Sequence, residues 1–398
     1  MNTITENKRC LACGNDDLQL SLDLGNQPLA NNFLDLPSQQ TLYPLSVNYC
    51  KHCYHVQLTH SVNPNIIYKN YLYAAGTSNT LKDYSNWFSN YVDENITKVT
   101  NNVLDIGCND GTQLNSFKNI GFNTYGIDPA FKLANNNHKI ISDFFNSDIS
   151  LWENINFDAI VAQNVFAHNP NPYEFLISCK KIMDDHTLLF IQTSQADMII
   201  NNEFDTIYHE HINFFNIKSM NIICNRAGLN LVDVTKSPIH GVSYIFTISK
   251  SKYRPNTIKN FIEMENKLYN ESTYETWQRN IKFNTKELKE TIRIYRQMDY
   301  KIIGYGAAAK GNTLLNYINE PLDYILDDSV YKQNKFSPGL NIPIFSIQKL
   351  NELLESDKVL FVPLAWNFFK EIKEKIKKVR NKSNDKFCKY FPKVEIHV

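Results

Sequence analysis

Short apolar runs alternate with helical stretches over residues 71–250 of the chain. The runs are rich in Val, Ile, Leu and Phe, which suits buried strands. Because strands that alternate with helices form parallel sheets covered on both faces, this block predicts an α/β domain. Its predicted strands are 102–107, 124–128, 157–162 and 187–191.

A second alternation of strands and helices follows a long polar stretch. Residues 256–298 are poor in Gly and Pro and predict a helix or a helical pair that acts as a connector. The run from Lys370 to Lys382 is basic, with apolar residues at helical spacing, and predicts an amphipathic surface helix. The predicted strands of this part are 301–306, 323–328, 342–346 and 358–363.

The balance of charge limits the kinds of partner. Lys and Arg together number 41, and so do Asp and Glu, which gives a formal net charge of +0. Non-specific electrostatic binding to RNA or DNA is therefore not expected. Hydrophobic residues make up 43% and charged residues 21% of the 398 residues, a mixture typical of a globular chain with two or three domains.

The N-terminal segment is polar and lacks the apolar core of a signal peptide. No apolar stretch approaches the roughly 18 residues that a membrane-spanning helix needs. We therefore expect a cytoplasmic protein without a membrane partner. The sequence does not fix the oligomeric state, and a monomer is one alternative.

Four of the eight cysteines form two close pairs near the N-terminus, Cys10-x2-Cys13 and Cys50-x2-Cys53. Two such pairs can complete a tetrahedron of thiolates around Zn²⁺ and leave no open position for water, so we predict a structural zinc site. The alternatives are four unrelated cysteines, two disulfides, or replacement of one ligand by His52 or His55.

A glycine turn follows the strand at 102–107. The segment from Asp105 to Gly111 has an acid two residues before its first glycine and lacks the G-x-G-x-x-G spacing of dinucleotide sites. This pattern favours S-adenosylmethionine (SAM) over a dinucleotide, with a purely structural turn as the alternative. An acid at the end of the next strand can accept hydrogen bonds from ribose hydroxyls. The predicted cofactor residues are Asp105, Gly107, Asn109, Gly111, Asp128, Gln163 and Asn164.

Ionisable side chains cluster in Tyr208-His209-Glu210-His211, and His168 follows the strand at 157–162. In an extended segment His209 and His211 would share one face, whereas a turn at this point would break that alternation. A histidine beside a carboxylate is a plausible base for removing a proton from carbon next to a carbonyl, and a tyrosine hydroxyl can donate to an oxyanion. A metal site and a buried polar network remain the alternatives.

These motifs together resemble the sugar-nucleotide C-methyltransferases of deoxysugar biosynthesis. The resemblance spans nearly the whole chain. Besides the cysteine pairs, the turn and the Tyr-His-Glu-His motif, it includes Gly-Tyr-Gly-Ala-Ala-Ala-Lys-Gly at 304–311 and Ala-Trp-Asn at 365–367. It implies methylation of a carbon beside the keto group of a nucleotide-linked 4-keto-6-deoxysugar.

The resemblance also implies roles for individual residues. His211 would be the general base, supported by Tyr208 and Glu210, with His168 close to the substrate. The nucleotide-sugar would lie between the middle and C-terminal domains. The glycine turn and Lys310 at a helix start independently suit an anion such as a diphosphate, with a packing turn as the alternative. The predicted substrate residues are Tyr71, Tyr73, Gly306, Lys310, Asp328, Trp366 and Asn367.

We therefore predict an α/β protein with three domains. They are a zinc-binding domain at 1–70, a class I SAM-dependent methyltransferase domain with a Rossmann-like fold at 71–255, and a helical connector with a second Rossmann-like domain at 256–398. The expected activity is SAM-dependent C-methylation through an enolate. Methylation of a sugar oxygen or nitrogen, a zinc-containing nucleic-acid-binding protein and a non-catalytic ligand sensor remain alternatives.

Overall fold

A computed structural model describes residues 3–68, 79–129, 137–146, 148–193, 197–237, 243–251 and 258–398. The predicted substrate residues Tyr71 and Tyr73 lie outside the described residues. The chain forms two compact units, each assembled from three segments. The first unit comprises Met1–Gln19, Asn48–Asp197 and Glu210–Asn270, and the second comprises Leu20–Val47, Met198–His209 and Glu271–Val398. The predicted limits of the three domains stay a prediction.

Short strands dominate the N-terminal part of the chain. The elements are β1 (Ile4–Glu6), β2 (Leu18–Gln27), β3 (Tyr43–Cys50), β4 (Val56–Leu58), β5 (His60–Val62) and α1 (Pro64–Tyr68). Strands β1 and β5 pair antiparallel. Residues of β3 are buried from Val47 to Cys50, which holds the second cysteine pair at the end of a fixed strand.

The middle of the chain builds a seven-stranded sheet with helices. The elements are α2 (Asn79–Asn95), β6 (Asn102–Ile106), α3 (Thr112–Asn119), β7 (Asn123–Ile127), β8 (Lys139–Ile141), β9 (Ala159–Gln163), α4 (Pro172–Ile182), β10 (Leu188–Thr193), β11 (Asn213–Phe214), α5 (Ile217–Arg226), β12 (Asn230–Ser237), β13 (Ser243–Ser249) and α6 (Ile258–Met264). The strand order is β12-β13-β10-β9-β6-β7-β8, and β11, β4, β3 and β2 form a separate four-stranded sheet.

The direction of the strands defines the ligand edge of the seven-stranded sheet. Strands β8, β7, β6, β9 and β10 run parallel, whereas β13 is antiparallel to both β10 and β12. The chain order reverses between β6 and β9, and the crevice beyond the carboxyl ends of such strands is where α/β sheets bind ligands. The predicted cofactor residues follow these strands.

Both faces of this sheet are packed. Consecutive residues of β6, Val103 and Leu104, point to opposite faces and belong to two different apolar clusters. The cluster of Val103 includes Phe88 and Phe117, and the cluster of Leu104 includes Trp152 and Phe246. Such burial on both faces explains why the parallel strands are continuous apolar runs rather than alternating ones. The core therefore fixes the carboxyl ends of the strands.

The C-terminal part forms a second, six-stranded sheet. Its elements are α7 (Glu271–Gln297), β14 (Tyr300–Tyr305), α8 (Ala309–Ile318), β15 (Tyr324–Leu326), β16 (Ile344–Phe345), β17 (Lys358–Pro363), α9 (Phe369–Val379), β18 (Lys386–Lys389) and β19 (Glu395–His397). The order is β16-β15-β14-β17-β18-β19, parallel except for β19. This is the predicted second Rossmann-like arrangement.

Each predicted strand corresponds to an observed strand, so the α/β fold class is confirmed. The largest differences in length occur at 323–328 and 342–346, where only β15 and β16 are extended. The basic helix is α9, with Ile372 and Ile376 buried and its lysines on the outer side. In the described part of the chain, no helix is long and apolar enough to cross a membrane.

Candidate active site

The turn after β6 is shaped by glycines. Gly107 has φ +78°, and a Cβ at this position would lie 2.3 Å from Cγ2 of Val165. Gly111 has φ +81° and caps α3 at its N-terminal end, while its N–H donates to the Cys108 carbonyl over 2.9 Å. Only glycine adopts such conformations at low cost, so the predicted glycine turn has a steric basis.

Two carboxyl groups flank this turn. Burial, and secondarily the charge of Asp128, raises the pKa of Asp105 to about 8. One carboxylate oxygen of Asp128 accepts the Asn109 N–H over 2.9 Å, so the acid also orders the turn. Two nearby carboxyl groups in a buried site favour a cationic ligand, because a positive charge relieves their mutual repulsion.

A cavity of about 500 Å³ lies at the carboxyl ends of β6, β7, β9 and β10. Its size falls within the range of small-molecule sites, roughly 300–1,000 Å³. The cavity brings together most of the predicted cofactor residues, namely Asp105, Gly107, Asn109, Asp128, Gln163 and Asn164. Gly111 is not among the lining residues and acts instead at the start of α3. The cavity and its acids fit SAM, whose sulfonium and ammonium groups are both cationic.

The cavity wall also contains residues that sequence reasoning did not select. The Gln163 side-chain amide donates to Gln113 over 3.0 Å, and Gln113 donates to Ser89 over 2.6 Å. Asp143 and Tyr68 line the cavity as well. Gln113 carries a weak signal, because it opens the helix that follows the glycine turn. Nothing in the sequence pattern distinguishes Tyr68 or Asp143 from other polar residues.

His168 lies at the end of a short 3₁₀ helix and lines the cavity. Burial lowers its pKa to about 4, so its imidazole is neutral near pH 7. Its Nε2 atom is buried and has no hydrogen-bond partner within the described residues. The His168 ring stacks with two other rings. Its centroid lies 6.2 Å from that of Tyr68 and 5.1 Å from that of His211. The structure therefore joins His168 to the predicted base.

Of the two geometries considered for the Tyr208–His211 segment, extended or turned, the structure shows the turn. The chain bends at Tyr208 and turns at His209 and Glu210, so the alternation of faces does not hold. In the second unit, His209 Nε2 lies 3.3 Å from the Tyr43 carbonyl oxygen. In the first unit, His211 contacts His168. His209 and His211 do not share a face, because side chains two residues apart lie on the same side only in extended backbone.

The buried environment of this segment is clear even though its residues do not form the cavity wall. Glu210 and His211 are only 2% and 7% exposed. Among the described residues that line the cavity, Tyr208, Glu210 and His211 are absent, whereas His168 is present. The predicted base, His211, therefore contacts a residue of the cavity wall, His168, but does not itself line the cavity.

The four paired cysteines meet in the first unit. All four sulfur atoms lie within 4.8 Å of one another, and the Cys10–Cys53 and Cys13–Cys50 sulfur pairs are each 3.5 Å apart. Tetrahedral zinc with Zn–S bonds of about 2.3 Å requires sulfur separations of this order. All eight cysteines are free, which excludes the disulfide alternative. His55 Nε2 lies 3.1 Å from Asn213 Oδ1 and is not part of the sulfur cluster.

The second unit brings together several of the predicted substrate residues. Lys310 is the second residue of α8, and its ammonium lies 4.8 Å from the centroid of the Trp366 ring. Gly306 has φ +93° and packs near Ala365. Asn367 follows Trp366 in a 3₁₀ helix. These residues form a corner at the carboxyl ends of β14 and β17.

Two acids modify the predicted anion site at this corner. The Asp327 carboxylate accepts the Ala307 N–H over 2.7 Å, so an amide expected to face an anion already has a partner. Asp328 accepts from Tyr305 over 2.9 Å and from Lys375 over 2.6 Å. Lys310 therefore carries a positive charge at this corner, whereas the Ala307 amide is already paired with an acid.

Three protein-family models match successive parts of the chain. Residues 10–68 match "Putative zinc binding domain", residues 79–234 match "Methyltransferase domain", and residues 238–392 match "C-methyltransferase C-terminal domain". Together with the sheet order, the cavity and the sulfur cluster, they define a SAM-dependent C-methyltransferase with a zinc-binding domain.

Two individual relatives are also methyltransferases. The chain is 28% identical over 385 residues to C-methyltransferase NovU of Streptomyces niveus, covering 91% of this chain and 90% of the relative. It is 33% identical over 115 residues to a ubiquinone biosynthesis O-methyltransferase of Glaesserella parasuis, covering 25% of this chain and 49% of that protein.

Solved methyltransferase structures resemble part of the chain. A SAM-dependent methyltransferase from Aquifex aeolicus aligns with a TM-score of 0.34 and 17% identity, covering 45% of this chain and 100% of that one. Magnesium protoporphyrin IX methyltransferase from Synechocystis PCC 6803 aligns with a TM-score of 0.33 and 13% identity, covering 43% and 79%.

Proposed function

We propose that this C-methyltransferase acts on the carbon next to the ketone of a nucleotide-linked 4-keto-6-deoxysugar. The observation that carries the proposal is the contact between two imidazoles beside the cofactor cavity, because half-buried His168 lines the cavity and the ring centroid of buried His211 lies 5.1 Å from that of His168. A carbon acid needs a base and a stabilised enolate, whereas an alcohol acceptor needs less acid–base assistance. SAM would supply an electrophilic methyl group.

We assign the base to His211, which removes the proton from the sugar carbon, with Tyr208 and Glu210 in support. His168 is suited to the developing enolate oxygen, because a neutral imidazole can donate a ring N–H hydrogen bond. Its buried Nε2 atom has no hydrogen-bond partner in the described part of the protein. Such an unpaired atom is costly in the free protein, and a ligand that pairs it removes that cost.

The nucleotide half of the substrate is assigned to the corner at Lys310 and Trp366. An ammonium group attracts a diphosphate, and an indole ring offers an apolar face to a base or sugar. Gly306, Asp328 and Asn367 complete the proposed contacts, with the turn amide of Ala307 already used by Asp327. This assignment places the anionic end of the substrate on the C-terminal sheet.

The identity of the product tests the proposal. Purified protein, SAM and a panel of dTDP-, GDP- and CDP-linked 4-keto-6-deoxysugars are incubated, and the products are analysed by NMR. We expect a new methyl group bonded to a ring carbon, with the proton lost from the carbon next to the ketone. A new O–CH3 or N–CH3 signal would contradict the proposal and identify another sugar methyltransferase. Reactions without SAM are the control.

A further inference from the structure

A buried acid connects several parts of the second unit. Asp205 is only 2% exposed, and its Oδ2 atom accepts the Trp366 indole N–H over 2.8 Å. The Tyr390 hydroxyl lies 3.1 Å from the same oxygen. The other oxygen, Oδ1, is buried and has no hydrogen-bond partner within the described residues. A buried carboxylate with an unpaired oxygen is costly, so packing alone does not explain an acid at this position.

The contact with Trp366 fixes the orientation of a ring that also faces a cation. Lys310 lies 4.8 Å from the centroid of this ring, and Phe391 packs against it with centroids 4.2 Å apart. Because the indole N–H points in the plane of the ring, its hydrogen bond to Asp205 determines which way the ring faces. Asp205 thereby orients the aromatic side chain that packs with Lys310.

Asp205 also lies on the chain segment that leads into the Tyr-His-Glu-His motif. It precedes Tyr208 by three residues and His211 by six. Other bonds hold the start of this segment, including a 3.0 Å hydrogen bond from the Trp277 indole to the Glu203 carbonyl. Asp205 is the acid of this segment that contacts the Lys310–Trp366 corner.

We infer that Asp205 is a positioning residue that couples occupancy of the Lys310–Trp366 corner to the placement of the Tyr208–His211 segment. A diphosphate bound at Lys310 restrains the lysine, the lysine restrains the Trp366 ring, and the ring N–H holds Asp205 and the chain that follows it. The inference rests on the proposed function, because it needs an anionic substrate at this corner. Its consequence is that loss of the link lowers turnover more than substrate affinity.

Four variants of the 398-residue chain test the link. Trp366→Phe removes the indole N–H but keeps an aromatic ring for Lys310. Asp205→Leu removes the acceptor, whereas Asp205→Asn keeps an acceptor oxygen and serves as the conservative rescue. Trp152→Phe is the control, since Trp152 is a buried tryptophan whose N–H has no hydrogen-bond partner in the described part of the chain.

The first readout is the steady-state release of S-adenosylhomocysteine with the keto-sugar panel. We expect Trp366→Phe and Asp205→Leu to lower kcat about tenfold, with the KM for the sugar within about threefold, because the lost bond acts after binding. Asp205→Asn should recover most of kcat, and Trp152→Phe should resemble the wild type. A raised KM with unchanged kcat, an equal loss in Trp152→Phe, or no rescue by Asp205→Asn would overturn the inference.

The second readout needs no substrate. Hydrogen–deuterium exchange of the peptide spanning 206–212 should be faster in Trp366→Phe than in the wild type and unchanged in Trp152→Phe. If the wild type methylates none of the keto-sugars, the proposed function fails, and this readout alone decides on Asp205. Equal exchange in Trp366→Phe and the wild type would overturn the inference whatever the substrate.

Discussion

At the scale of single residues, the cofactor turn depends on the close approach of the Gly107 backbone to the Val165 side chain. Gly107 and Gly121 both have positive φ, at +78° and +96°, but only Gly107 faces a side chain that a methyl group would strike. The side chain is Val165, which follows β9, so the turn after one strand is packed against the turn after its neighbour. This contact fixes the backbone beside Asp105.

Replacing Gly107 by alanine should therefore impair cofactor binding more than the same change at Gly121. Both variants bear the cost of a positive φ, about 1–2 kcal/mol, but the Gly107→Ala methyl group would also displace Val165. We expect SAM affinity to fall at least about tenfold in Gly107→Ala and to stay within about twofold in Gly121→Ala. Calorimetric titration with SAM and thermal unfolding measure the two effects, and equal SAM affinities would contradict this account.

The raised pKa of Asp105 predicts a pH-dependent SAM affinity. With a pKa of about 8, the carboxyl group is mostly neutral at pH 7 and ionises as the pH rises through 8. A cationic ligand binds the ionised form better, so affinity should increase with pH by up to about tenfold per unit below pH 8, and binding should release a proton. Titrations between pH 6 and 9 in buffers of different ionisation enthalpy test this. Asp105→Asn should abolish the proton release.

The sequence predicts most of these residues because glycines and acids at the ends of strands follow steric and electrostatic rules. It does not predict the ring contact between His168 and His211, because the two lie 43 positions apart and meet only through the fold. The sequence does not predict a role for Asp205 either, because a single acid before a motif has no distinguishing spacing. Its contacts to Trp366 and Tyr390 appear only in the structure.

At the scale of elements, the positive charge proposed to bind the substrate lies on Lys310, in a helix that begins shortly after a strand. Helix α8 begins at Ala309, so Lys310 lies in its first turn. Lys301, by contrast, lies near the amino end of β14 and pairs with Asp357 over 2.9 Å. The two lysines flank the same strand, but only Lys310 faces the corner where parallel sheets bind ligands.

Lys310→Met should raise the KM for the nucleotide-sugar about tenfold and should also lower kcat. The KM rises because one ammonium–phosphate contact is lost, and kcat falls because Lys310 no longer restrains the Trp366 ring that binds Asp205. Lys301→Met is the control and should leave both constants unchanged. Steady-state assays with the keto-sugar panel measure the split. A fall in kcat alone would argue against phosphate binding by Lys310.

Elements with a clear hydrophobic pattern are predictable, and connecting segments are not. Strands β6, β9 and β17 follow from apolar runs, and their bounds differ from the predicted ones by at most two residues. The bend and turn at 208–210 does not follow, because the segment contains no Gly or Pro to mark it. The sequence therefore leaves the extended and the turned geometry open at this segment.

At the scale of the whole molecule, segments that are neighbours in the sequence belong to different compact units. Residues Leu20–Val47 lie between the two cysteine pairs in sequence but belong to the second unit, whereas the cysteines belong to the first. Within the second unit, the Asn312 side chain donates to the Ala30 carbonyl over 2.8 Å. A sequence pattern cannot reveal such an exchange, because it depends on contacts between residues nearly three hundred positions apart.

The sulfur cluster should hold about one zinc ion per chain, and its loss should destabilise the first unit. Cys50→Ser should reduce zinc content several-fold and lower the melting temperature, because metal binding to a formed site is coupled to folding. Cys388→Ser alters a buried cysteine outside the cluster and is the control. Elemental analysis by mass spectrometry and thermal unfolding measure the outcome. Unchanged zinc content in Cys50→Ser would contradict the assigned ligands.

The central claim is that His211 removes a proton from the carbon next to the ketone. Deuterium incorporation from D2O into the keto-sugar, followed by NMR with S-adenosylhomocysteine in place of SAM, measures this step directly. We predict incorporation at that carbon with the wild type and with the control His60→Asn, and a loss of at least about a hundredfold with His211→Asn. Undiminished exchange and methylation in His211→Asn would contradict the account.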